Sequence, residues 1–207
     1  MSRVVTGPFS HRGGARSARR RRLRTGRGCT SRPSPDTRDM ELPRYAFKGK
    51  GGRSFPELSA ALLQEYADKI RIGLGRLSEE QVWWRPNEAC NSVGNLVLHT
   101  CGNLSLWVLK GLGDIDYARD RAGEFRADHS MSKAELLAHL DGTIARCHEV
   151  LGQVDLNREL SLQGYRVDGL AGLYHAVEHA SQHTGQILYL VKQMAPGLEL
   201  YPQHADE

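Results

Sequence analysis

No run of eighteen apolar residues occurs in this chain of 207, so the sequence offers no candidate membrane span. Cysteine is scarce and unpaired. Cys29, Cys90, Cys101 and Cys147 form no C-x-x-C, which argues against a disulfide framework or a structural zinc knuckle and favours a reducing cytoplasm. Lysine is missing from residues 1–39, where eleven arginines face only two acids, Asp36 and Asp39, a formal charge of +9 (11 − 2). That segment also lacks the apolar stretch of a secretory signal. A convincing alternation of apolar and polar residues is absent throughout, so no extended sheet is expected.

What is present divides by charge. Beyond residue 39 the chain has 17 basic and 22 acidic residues (28 − 11 and 24 − 2), a balance of −5, so the overall +4 averages two unlike parts. An acidic folded body repels a phosphate backbone, and nucleic-acid binding would have to come from the tail. Arg12 to Arg38 is rich in Arg, Gly, Ser and Pro and cannot bury an apolar face, so it is expected to be disordered. Two readings of 1–39 stay open: a basic, transit-like leader, or an upstream extension foreign to the native protein, with Met40 as the true start. Residues 1–53, including the loop-like lead-in Glu41–Arg53, are assigned to the tail, and 54–207 to the folded domain.

The pattern in 54–207 is helical. The first stretch runs near Phe55 to Leu77, with Ser54 as N-cap, Pro56 in the first turn, Glu57 at the capping-box position and a stripe of Leu58, Ala61, Leu62, Tyr66 and Ile70. A second runs near Ser92 to Leu109, starting after Asn91. The third starts after Ser132 and ends near Gly152. The fourth starts after Asp168 and ends near Met194, before Pro196. Val154 to Val167 leaves room for a short extended piece. The connection Gly111 to Met131 carries Asp114, Asp116, Asp120 and Glu124 and is expected to wrap one end of the molecule. Four long helices without a sheet imply an all-α, four-helix bundle.

Histidine is abundant, with nine residues, and three fall in the fourth helix at intervals of four: His175, His179 and His183. Imidazoles at i and i+4 share a face and can reach one metal ion. His175 and His183 lie about 12 Å apart along the axis, too far to share one easily. The pair is His175/His179 or His179/His183, and only His179 belongs to both. A solvent-facing stripe, or core histidines with backbone partners, is the simpler account of a bare H-x-x-x-H. Against it stand the small, apolar neighbours of the motif and His99, set in the apolar segment Leu96–Val97–Leu98–His99, where a buried imidazole needs a partner.

Three segments then carry a family resemblance: Asn91–Ser–Val–Gly–Asn–Leu–Val–Leu–His99 followed by Asn103 and Trp107, His179–Ala–Ser–Gln–His183–Thr–Gly–Gln186–Ile, and the upstream Leu77–Ser–Glu–Glu–Gln–Val–Trp–Trp84–Arg–Pro86. Together they resemble the DinB-like (damage-inducible) superfamily, related to thiol-dependent S-transferases, over about Phe55 to Met194. The resemblance implies an up-up-down-down-like four-helix bundle, usually a homodimer, with a three-histidine metal site on His99, His179 and His183. His175 is left as a pocket or supporting residue. Gln186, one turn from His183, is expected to orient a neighbour rather than to catalyse.

Three neutral imidazoles leave a divalent ion uncompensated and its remaining positions open to water or a thiolate. Zn, Ni, Fe and Mn all suit such ligands. The resemblance implies metal-dependent thiol transfer or hydrolysis on a small molecule, with a low-molecular-weight thiol as the expected partner; the alternative is a non-catalytic protein of stress response or interaction, stabilised by its ion. No general base stands out. Glu178 points about 100° from His179 and reads as a surface acid, and Cys101 reads as a small buried thiol. Of Trp83 and Trp84, one is expected in the core and one near the rim. Tyr174 and Tyr189 are read as core or dimer contacts, and Tyr165 and Arg166 as candidates for a pocket mouth.

Overall fold

A computed structural model describes residues 52–200. The Arg-rich segment and most of the lead-in lie outside the described residues. Four long helices dominate: α1 (Phe55–Gly75), α3 (Val93–Leu104) continued by a π-helical stretch (Ser105–Leu112), α5 (Lys133–Leu151) and α6 (Gly169–Met194). Short helices α2 (Glu79–Trp83) and α4 (Arg121–Arg126) and a two-stranded hairpin, β1 (Glu159–Leu162) and β2 (Tyr165–Asp168), complete it.

The helix starts follow from side-chain capping. Ser54, Ser78, Ser92 and Ser132 each accept from the backbone N–H three residues on, while Glu57, Gln81, Asn95 and Glu135 return the bond. The cap of α3 is thus Ser92, and the helix begins at Val93, one residue beyond the start expected near Ser92. Asp168 caps α6 by accepting from the Ala171 N–H at 2.7 Å.

Packing makes a bundle in which α1 and α3 each lie against both α5 and α6. Leu63, Ile70 and Leu74 of α1 meet Leu104 and Leu109, Leu136 and Leu140, and Leu173 and Ile187 in a continuous apolar core. Full burial of such a side chain contributes about 1.5–3 kcal/mol. No helix among the described residues is long and apolar enough to cross a membrane.

The structure differs from the sequence reading in the connections. The span 111–131 contains α4. The extended piece expected in 154–167 is an antiparallel hairpin over 159–168, turned by Gln163 and Gly164 at φ +52° and +82°. Trp83 is buried and donates its indole N–H to the Met131 carbonyl at 3.1 Å, whereas Trp84 is exposed. Tyr174 and Tyr189 stand outside the core, 62% and 68% exposed.

Candidate metal centre

Helix α3 buries His99 to 5% exposure, and α6 carries His179 and His183 one turn apart on the facing side. Packing of α3 on α6 brings the three rings together. His179 Nε2 lies 3.1 Å from His99 Nε2 and 3.2 Å from His183 Nε2. The three rings offer ligand atoms within 4.8 Å of one another.

The outer nitrogens decide which lone pairs face inward. His99 Nδ1–H donates to Glu124 Oε2 at 2.8 Å, and His183 Nδ1–H donates to Gln186 Oε1 at 2.8 Å. A neutral imidazole with its proton on Nδ1 presents a lone pair on Nε2. Two lone pairs therefore point at His179 Nε2, and a single proton there satisfies one of them. A second proton on this ring is resisted: burial first, then the neighbouring His183, His99, His175 and Arg119, push the His179 pKa down to about 3. Nitrogens bound tetrahedrally to zinc stand about 3.3 Å apart. Donor type and spacing thus fit a divalent cation. His179 Nδ1 is buried without a hydrogen-bond partner.

Glu124 was legible only as one acid of an acid-rich connection, yet it anchors the centre. Arg119 donates to both its oxygens, from Nε at 2.7 Å and from Nη2 at 2.9 Å. Burial raises the Glu124 pKa, but the hydrogen bonds from His99 and Arg119, with the Arg119 charge, outweigh it and leave the carboxyl below its ordinary value. Helix α4 is held for this purpose by Asn95, whose Nδ2 donates to the carbonyls of Glu124 and Ala127 at 3.0 and 2.8 Å. Gly102 makes the approach possible, since a Cβ at that position would overlap the Glu124 carboxylate.

A cavity of about 460 Å³ opens on His99 and His179. Asn103, Trp107 and His175 form one wall, with the Trp107 and His175 rings 4.7 Å apart. Arg121, Gln163 and Tyr165 line it from α4 and the hairpin. His175 lies 5.7 Å from His179 by ring centroids and outside the convergent triad. Arg166 does not line the cavity; it pairs with Glu159 across the hairpin at 3.3 Å. Glu178 bonds Gln182 and lines a groove between α1 and α6 rather than this cavity. Cys101 is buried, and burial pushes its thiol up to about 12.

Solved structures share the architecture. A DinB-like protein from Bacillus cereus is 17% identical, with a TM-score of 0.53 over 67% of this chain and 96% of that one. A conserved protein from Enterococcus faecalis is 17% identical, with a TM-score of 0.57 over 71% of this chain and 100% of its own. A DinB-like protein from Bacillus subtilis is 20% identical, with a TM-score of 0.54 over 69% and 96%. No curated relative matches significantly. The DinB superfamily pattern matches residues 61–187, more than half the chain and a span that contains His99, His179 and His183, and the chain belongs to that superfamily.

Proposed function

We propose that His99, His179 and His183 hold one divalent ion and that the chain uses it on a small molecule in the adjoining cavity, for hydrolysis or for transfer of a low-molecular-weight thiol. The observation that carries this reading is the open side of the triad. Three nitrogens converge, the cluster among the described residues includes no fourth His, Cys, Asp or Glu donor, and a cavity lies against two of the rings. Structural zinc sites close with a fourth protein ligand, whereas catalytic ones keep a position open. Bound there, the ion supplies Lewis acidity that lowers the pKa of a water or thiol reaching it.

The chain's own groups prepare the site. Glu124 and Gln186 hold the protons of His99 and His183 on Nδ1, which orients both rings and frees Nε2. Arg119 keeps Glu124 ionised while it is buried. Trp107, Val167 and Ala171 supply apolar wall. Imidazole suits Zn, Ni, Fe and Mn alike, and all four stay within the proposal. A homodimer belongs to the same reading, supported by the exposed Tyr174 and Tyr189 on α6. So does a cytoplasmic setting, supported by the free thiols of Cys90, Cys101 and Cys147.

Purification without chelators, followed by elemental analysis, is expected to find about one divalent ion per chain, as one three-ligand site requires. Turnover of a generic electrophile with a panel of cellular thiols is expected to depend on that ion. A protein that carries no metal and takes up none of the four would overturn the reading.

A further inference from the structure

We propose that the cavity beside the triad receives a small carboxylic acid with an apolar body, and that Arg121 binds its carboxylate; this rests on reading that cavity as the substrate site. The charges of the wall are one-sided. Arg119 and Arg121 line it, and no Asp or Glu does. Glu124, behind His99, is already committed to Arg119 and to the imidazole, and the Arg119 and Glu124 side chains are only 7% and 9% exposed. Those two charges offset each other.

Arg121 is not offset. It is exposed and stacks over the Phe125 ring, 5.0 Å from its centroid. The acid next to it, Asp120, accepts from the Gly123 N–H at 2.8 Å and faces Arg126 at 3.8 Å. A guanidinium held by its face keeps its N–H edge for a ligand, and that edge matches a carboxylate in two parallel hydrogen bonds. A mouth lined by one sign of charge concentrates the opposite ion.

The remaining wall sets the rest of the ligand. Trp107, Val167, Ala171 and the Tyr165 ring present apolar surface. A volume of about 460 Å³ lies in the range of small-molecule pockets.

The test is calorimetric titration of the full chain, with and without added zinc, using 3-phenylpropanoate and its neutral isostere 3-phenylpropanamide. At low salt the acid is expected to bind about tenfold more tightly than the amide in both states. Arg121→Gln is expected to bring the two ligands within about twofold, with zinc content equal to that of the unmodified chain. Arg126→Gln, on the same helix but outside the cavity, is expected to keep the preference. Equal affinities for acid and amide, or no binding of the acid, overturn the proposal. So does a preference that survives in Arg121→Gln, or one that appears only with zinc and so seats the carboxylate on the metal. Failure to take up zinc counts against the triad reading alone, because the zinc-free titration still decides the anion site.

Discussion

The floor and the rim of the cavity are built by opposite means. His99 and His179 come from long, capped helices packed on a continuous core. Arg121, Gln163 and Tyr165 come from a six-residue helix and a two-stranded hairpin. No residue of α4 is fully buried, yet that helix delivers Glu124 to His99. Bundle packing therefore places the donor atoms, while the connections orient one of them and shape access. A two-stranded ribbon is marginal by itself, so the rim depends on the floor it covers.

Substitutions can break this contrast or sharpen it. The largest effect is expected from His179→Ala, which removes the nitrogen between the other two and should abolish retention of the ion in elemental analysis. In denaturant unfolding, Leu173→Ala, at a fully buried floor position, is expected to cost about 2–5 kcal/mol, whereas Tyr165→Ala at the rim should stay within about 0.5 kcal/mol. Similar losses would erase the distinction. Glu124→Gln keeps the shape but removes the charge, and competition with a chromophoric chelator should show metal affinity falling about 10–100-fold. The smallest change is expected from His175→Ala, below tenfold in the same assay. A loss equal to that of His179→Ala would mean that the triad had been drawn one turn out of place.

The long helices were legible because each begins with a side chain able to cap it and carries apolar residues at helical spacing. Ser54 with Glu57 and Ser132 with Glu135 are such signals. Helix α4 was not legible, having no apolar stripe to bury. The hairpin was legible only as a short extended piece, because its turn, Gln163–Gly164, lacks the Asn or Asp before glycine that marks a tight hairpin. The π-helical stretch after Leu104 has no local pattern that separates it from α-helix. At the centre, spacing alone singled out His179. The apolar setting of His99 pointed to a buried imidazole, and family resemblance preferred His183 to His175. The roles of Glu124 and Arg119 were not legible, because these residues reach His99 from 25 and 20 residues away in sequence. Only the tertiary fold reports such a distance.

Gly102 gives the centre a cost as well as an opening. Within a helix interior, glycine is about 1 kcal/mol less favourable than alanine. A search for stabilising substitutions in α3 would choose this position first. The added methyl would strengthen the local helix and evict the carboxylate that holds His99. At position 102, thermostability and fidelity of the centre are therefore opposed objectives, and a residue without a functional group becomes part of the site through the volume it leaves free.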